Sequence, residues 1–450
     1  MADRPPPSPL RRSLKLAYAN GALWGVGSGL ASMSLIAYFA RELQASGLAI
    51  SWILAAPSLV GLTRLLTPLW LDRVGSRRRF CVGMSLASAV AMGLLPVVAA
   101  PGAITDDRHS LIVLGLAWTA SQALEFFAVV ALWSWFGDLI PAVIRGRFIG
   151  RREAWLTAGL VMGGLAAAMA TWAWRNYCDS IERPDLLWKS YAACASFGAA
   201  LGALATLPLS RMAEPTRQAS VAGSRAREML AALFQPLRDP RFMRLMAFGV
   251  CYSIANGLVQ SPRQLFIASS LKIELAEKRA LDATSRGMQI LLMPWIGRWV
   301  DRRGNVPLLT ASWGIVSLAT LFLLVATPEA RWWIVGAYAC WVAYAGLNVT
   351  LPNLMLGLSP PRATGPYAAA WFAWTQLAYS LSILGGGYVF DLLSAQAKEG
   401  RSTGSLGGDP FTILFAVSGA IMLVGVALAG RIREPTEVEQ QGRVTSELHD

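Results

Sequence analysis

Polar and charged side chains inside long apolar runs are where this sequence could do chemistry. Glu125 stands mid-way along the run 111–136, with Gln122 one turn before it on the same helical face. In the run 243–268, Asn256, Gln260 and Arg263 follow one stripe, and Pro262 invites a kink that could serve as a hinge. Arg286 opens the run 280–299, four residues after Asp282 and three before Gln289, so acid and base can pair on one face. Tyr344 and Asn348 lie in the run 331–356, and Trp374 and Gln376 in 366–390, where Trp374 is read as a cavity wall. An ionisable residue in such a run is a functional candidate by default. For Glu125 three roles stay open: a proton carrier, one half of a pair with an arginine such as Arg263 or Arg286, or part of a site for a zwitterion. Arg64 lies within two turns of the end of its run and can snorkel to water.

Other chemistries find no residues to stand on. The five cysteines (81, 178, 194, 251 and 340) are scattered without a C-x-x-C spacing, so neither a metal site nor a disulfide framework is implied. The two histidines, His109 and His449, lie in polar segments. There is no phosphate-cradling glycine loop, no H-E-x-x-H and no G-x-S-x-G nucleophile turn. No catalytic residues and no cofactor are expected.

The elements that must position these residues follow from composition. The chain is 54% hydrophobic and only 15% charged, with mean hydropathy +0.44, far from the ~25% charged of a soluble domain. Its net charge of +13 is spread in short clusters between apolar runs, so no nucleic-acid face is formed. Spans of the ~20 residues needed to cross a bilayer fall at 16–40, 48–71, 80–100, 111–136, 153–174, 188–209, 243–268, 280–299, 306–326, 331–356, 366–390 and 410–430. The expectation is an all-α integral membrane protein of twelve transmembrane helices in two six-helix, pseudo-symmetric bundles. Residues 1–15 form a basic, disordered lead-in, 16–209 the first bundle, 210–242 a linker, 243–430 the second bundle and 431–450 a tail. With both termini inside, 26 lysines and arginines face the cytoplasm against 11 on the far side, which sets the orientation in an inner (plasma) membrane. Ala226–Phe234 in the linker reads as a short amphipathic helix on the inner leaflet or as solvated chain. The polar start of the eighth span either lines a water-filled vestibule or stands outside the membrane.

One turn appears twice, about half a chain apart. Thr67–Phe80 reads TPLWLDRVGSRRRF, and Pro294–Gly304 reads PWIGRWVDRRG. Gly75 and Gly304 let the backbone reverse tightly. Asp72 and Asp301 stand at helix C-termini, where the dipole disfavours a carboxylate, so each calls for arginines or another helix's N-terminus nearby. The pattern Gly297-x-x-x-Asp301-Arg302-x-Gly304 resembles the loop signature of the major facilitator superfamily, found between the second and third helices of each half. In the first half Asp72, Arg73 and Gly75 match, Pro68 takes the leading glycine's place, and Arg77, Arg78 and Arg79 follow to hold the loop at the cytoplasmic face. Between spans 4 and 5, Asp138, Pro141, Arg145 and Gly146 match the superfamily's acid-x-x-Pro-x-x-x-Arg-Gly segment, whereas Pro360, Arg362 and Gly365 match it loosely in the second half.

The resemblance covers nearly the whole chain and implies a secondary transporter working by alternating access, with a small-molecule substrate held near the midplane, functional as a monomer. It implies that the loop aspartates lock one state through contacts across the cytoplasmic face: Asp72 at the start of span 11 near Gly365, and Asp301 at the start of span 5 near Arg151–Glu153. Asp138, Arg145 and Arg147 would join that network. Span 4 is a cavity helix in the family, which places Gln122 and Glu125 inward and makes protons a candidate coupling ion. Drug efflux is disfavoured because span 5 reads AGLVMGGLAAAMA without the Gly-Pro of proton-coupled drug antiporters. The competing classes are a drug or metabolite pump of the same fold, a non-transporting polytopic sensor and a membrane-bound transferase.

Overall fold

The computed structural model describes residues 8–31, 60–98, 107–215, 234–273, 275–360, 363–398 and 409–434, with isolated positions between 36 and 57. The linker stretch 216–233, Arg362, both outer tails and the side chain of Asp72 lie outside the described residues. Among the described residues there is no strand, and eight helices are long and apolar enough to cross a membrane. In chain order the helices are α1 (Ser8–Leu30), α2 (Thr67–Val74), α3 (Arg77–Val98), α4 (Asp107–Leu139), α5 (Ala142–Ser180) and α6 (Trp188–Leu204). They continue with α7 (Pro240–Leu258), α8 (Leu275–Arg303), α9 (Val306–Val325), α10 (Trp333–Leu358), α11 (Thr364–Lys398) and α12 (Pro410–Ala429). The eight membrane-length helices fall on eight of the twelve expected spans, and the other described helices overlap the remaining ones, span 48–71 only at its end. α5 begins eleven residues before its span, so Arg145, Gly146 and Arg147 are helical rather than looped.

The chain divides into two compact units: Met1–Leu139 with Arg151–Ser224, and Ile140–Gly150 with Arg225–Asp450. The first turns of α5 therefore group with the second unit rather than with the rest of their helix.

In the first unit α1 and α5 cross through glycines. A methyl on Gly25 would stand 2.4 Å from the Leu156 carbonyl oxygen, and one on Gly163 would stand 2.2 Å from that of Val26. Without a hydrophobic drive between helices in lipid, such backbone approach supplies the packing. α3 and α4 are tied by reciprocal bonds in which Ser88 Oγ donates to the Ser121 carbonyl at 2.9 Å and Ser121 Oγ to that of Ser88 at 3.0 Å. Phe39, Met92, Leu95, Leu114, Trp118 and Tyr191 belong to one buried apolar cluster of this unit.

The second unit repeats the glycine crossing between α7 and α11, with a methyl on Gly386 falling 2.1 Å from the Leu258 carbonyl oxygen. Of the three consecutive glycines there, Gly385 and Gly387 face open space. α7 ends at Leu258 and breaks at Val259, not at Pro262. Proline lacks an N–H and its ring excludes the carbonyl four residues back, which is that of Leu258, so the break falls upstream of the proline. A short helix, Gln260–Leu265, and a π turn, Phe266–Ser270, complete the span.

The duplicated turn has the same backbone in both units. Gly75 and Gly304 have φ of +70° and +85°, the left-handed region in which a side chain is strained. Their amides close the preceding helices on the carbonyls of Leu71 at 3.0 Å and Val300 at 2.9 Å.

Candidate functional site

In the first unit the carboxylate of Glu125 is met by α1. Trp24 Nε1 donates to Glu125 Oε1 at 2.6 Å, one of the shortest side-chain bonds between helices in this unit. α4 carries Glu125 between two ties to α3, the Ser88–Ser121 pair and a Cys81 Sγ bond to the Ala128 carbonyl at 3.5 Å. Gln122 is half-buried one turn away. Arg64 does not snorkel to water. It is buried in the 3-10 turn Gly61–Leu66, with its guanidinium 3.6 Å from the centre of the Phe126 ring. The π face of an aromatic neighbour lets a desolvated guanidinium stay charged at low cost.

In the second unit several of the expected polar residues converge. Tyr344 of α10 donates its hydroxyl to Asn256 Oδ1 of α7, and Asn256 Nδ2 donates to the Tyr252 carbonyl at 2.9 Å. Arg263 donates to Gln260 Oε1 at 2.7 Å and lies 4.8 Å from the Trp341 ring centre. Gln289 of α8 donates to the Trp341 carbonyl at 3.1 Å, tying α8 to the backbone of α10 at that residue. The sequence reading missed Trp341, although it is an aromatic one turn before Tyr344.

Other expectations part from the structure. Asp282 does not pair with Arg286. It accepts from Lys278 at 3.2 Å and from the Tyr338 hydroxyl at 3.0 Å, while Arg286 is exposed on its unit. Lys278 is also four residues away, and a tyrosine of α10 on the same side settles which neighbour Asp282 faces. Asn348 is exposed between the buried Leu347 and Val349. Trp374 lines an apolar groove of about 540 Å³ with Val250, Ile254 and Leu377, apart from the polar cluster. Gln376 is half-buried on α11.

The turn residues form two groups. In the first unit Arg77, buried at the start of α3, pairs with Asp138 in the last turn of α4. Arg73 is exposed. In the second unit Asp301, its side chain only 4% exposed, accepts from the amides of Gly146 at 2.8 Å and Arg147 at 3.0 Å. Arg147 Nε stands 3.7 Å from the same carboxylate, and Arg302 is exposed. The partner is thus the N-terminal part of α5, a few residues before the expected Arg151–Glu153; Arg152 and Glu153 instead pair with each other at 2.7 Å in the first unit. The approach needs glycine on both helices. A methyl on Gly146 would stand 2.6 Å from Asp301 Oδ1, and one on Gly297 would stand 2.4 Å from the Gly146 carbonyl oxygen. Arg145 reaches towards Gly357 of α10. Asp301 lies beyond its span, and burial pushes its carboxyl up to about 6, the two amides and Arg147 pulling the other way.

Two glutamates escaped the sequence reading. Glu214 Oε2 accepts from Ser76 Oγ at 2.8 Å and its Oε1 from the Arg78 amide at 3.2 Å, capping α3. Glu434 Oε1 accepts from the amides of Asn305 at 2.6 Å and Val306 at 2.7 Å, capping α9. Each carboxylate satisfies orphan donors at a helix start and favours its dipole. The signal was present as an R-x-x-E-P repeat, Arg211–Pro215 and Arg431–Pro435, at the end of each half. Asn305 extends the second cap: its Nδ2 donates to Glu434 Oε2, and its Oδ1 accepts from Asn353 Nδ2 at 2.8 Å. Glu434→Ala is expected to destabilise the second unit by about 0.5–2 kcal/mol. Thermal unfolding of the purified protein measures this, and an unchanged Tm would mean that water caps α9 equally well.

No protein-family model matches the sequence, and no curated protein matches it. Solved structures do. The human organic anion transporter MFSD10 is 13% identical, with 95% of this chain and 100% of that one covered at a TM-score of 0.67. The proton:xylose symporter XylE is 13% identical over 95% and 97% at 0.66. FucP in its outward conformation, a fucose:proton symporter of E. coli, is 14% identical over 92% and 98% at 0.67. At such identity the likeness is one of fold. The protein is an integral membrane protein with the fold of the major facilitator superfamily.

Proposed function

We propose that this chain is a secondary transporter of a small organic solute, a member of the major facilitator superfamily working by alternating access and driven by protons through Glu125. The observation that carries the reading is Glu125 itself, a carboxylate deep in an apolar helix whose hydrogen-bond partner among the described residues is an indole N–H rather than a cation. A purely structural acid would be matched by a base, since an unpaired charge removed from water is costly. A proton carrier needs the opposite: a site where both protonation states survive. Trp24 supplies one hydrogen bond to the charged form without fixing it. The fold supports the same reading, and two of the similar structures are of proteins named as proton symporters.

The remaining assignments complete the proposal. The protein sits in the inner (plasma) membrane with both termini cytoplasmic, acts as a monomer and uses no cofactor. The polar residues of the second unit, Asn256, Gln260, Arg263 and Tyr344, contribute to solute binding. The repeated turns form the cytoplasmic gate, Asp301 on the N-terminal part of α5 serving as its latch. Reconstituted protein tests the reading. An imposed inward-acid or outward-acid pH gradient should drive uphill movement of the solute that most stabilises the purified protein against heat. Equal final concentrations on both sides, with and without the gradient, would refute proton drive.

A further inference from the structure

We infer that the solute carries a single carboxylate on a flat apolar body, and that Arg263 reads that carboxylate; the inference rests on the transporter reading above. Arg263 lies beyond the break at Val259, in the short helix Gln260–Leu265 of the stretch 243–268 read from the sequence as the seventh span. Arginine is rare in such a setting and is kept where it has an anionic partner or a task. Within the described residues of its unit, the contacts of Arg263 are all to neutral groups: the Gln260 side-chain oxygen at 2.7 Å and the Trp341 ring at 4.8 Å. The acid on the neighbouring helix, Asp282, is already engaged by Lys278 and by the Tyr338 hydroxyl. Among the described residues, no carboxylate contacts the guanidinium. Its positive charge is held in place by a neutral amide and an aromatic face, with donors left over.

The surroundings specify the rest of the ligand. A guanidinium presents a planar fork that matches a carboxylate with two parallel bonds. Among the described residues, Arg263 is the cation that contacts Gln260 and Trp341, and one guanidinium balances one negative charge, which favours a monocarboxylate over a phosphate dianion. Trp341 and Tyr344 come from α10, and Tyr379 of α11 lies within electrostatic reach of Arg263. Aromatic faces around a fixed charge suit a planar apolar body. Asn256, bound by the Tyr344 hydroxyl, keeps that ring oriented.

The test uses the full-length protein in detergent and in proteoliposomes. The probes are benzoate, 4-hydroxybenzoate and indole-3-acetate, each against its alcohol and amine counterpart, together with phenyl phosphate. At least one carboxylate should raise the Tm saturably where its alcohol and amine do not. Arg263→Lys, which keeps the charge but loses the fork, should weaken that binding by about tenfold, and Arg263→Gln should abolish it. Gel filtration and an unchanged Tm without ligand show that the variants fold. Binding that survives Arg263→Gln, preference for phenyl phosphate, or no response to any of the three carboxylates would overturn the inference. If amines or alcohols are accumulated while carboxylates are not, transport stands and the anion site falls. If carboxylates bind through Arg263 but nothing is ever accumulated, the anion site stands and the transporter reading falls.

Discussion

Glu125→Gln is expected to abolish uphill accumulation while leaving solute exchange across the membrane intact. The substitution keeps the shape of the side chain and its ability to accept from Trp24 Nε1, so the α1–α4 contact at 2.6 Å survives. What it removes is the capacity to carry a proton. For one proton coupled to one solute, each unit of pH gradient is equivalent to about 1.4 kcal/mol, or about tenfold accumulation. The parent protein should approach that ratio in proteoliposomes, and Glu125→Gln should settle near equal concentrations. Counterflow should continue in the variant, because swapping one solute for another needs no net proton movement. Glu125→Asp keeps a carboxyl but draws it back by a methylene from the indole, so partial accumulation is expected. A Gln variant that concentrates solute with the parent's pH dependence would remove Glu125 from the mechanism and leave it as a strut between helices.

Topology was open to reading because the bilayer imposes one strong rule, the internal satisfaction of every backbone polar group. Twelve apolar runs could only be helices, and the repeated Asp-Arg-x-Gly turn could only close a helix with a left-handed glycine. Side-chain partners were less legible, because helical spacing gives candidates without choosing among them. Asp282 had a cation four residues away on either side, Lys278 and Arg286, and Tyr338 on another helix decided the matter. Arg64 was assigned to water on distance alone, where Phe126 offered it a face inside. The indole donor for Glu125 lies 101 residues away in sequence, beyond the reach of any local pattern. The two capping glutamates were different. Their R-x-x-E-P repeat was visible, and the meaning was lost only because it falls outside the spans, where charge looks ordinary.

The contact between Asp301 and α5 should open when crowded and should loosen as pH rises. Gly146 leaves no room for a side chain, with Asp301 Oδ1 2.6 Å and Val300 Cγ1 2.8 Å from where its Cβ would stand. Gly146→Val must therefore separate α5 from α8 at a cost of about 1–3 kcal/mol, typical of overpacking. That corresponds to a roughly 5–150-fold shift towards the open arrangement. Val300, only 4% exposed beside Asp301, is a suitable reporter as Val300→Cys in a protein whose native cysteines are replaced. Maleimide labelling there should rise accordingly in Gly146→Val at every pH. The pH effect has a definite sign. Docked, the Asp301 carboxyl binds its proton at about 6, whereas in water an aspartate titrates near ~4. The docked arrangement holds the proton more tightly, so its stabilisation is full at low pH and is lost as pH rises through about 6. Labelling, normalised to a free thiol at each pH, should climb on the order of tenfold between pH ~5 and ~7.5 in the parent. Asp301→Asn, isosteric and uncharged, should flatten that profile at its low-pH level. A flat profile in the parent, or a Gly146→Val protein labelled no faster than the parent, would show that this glycine crossing is a fixed joint rather than a latch.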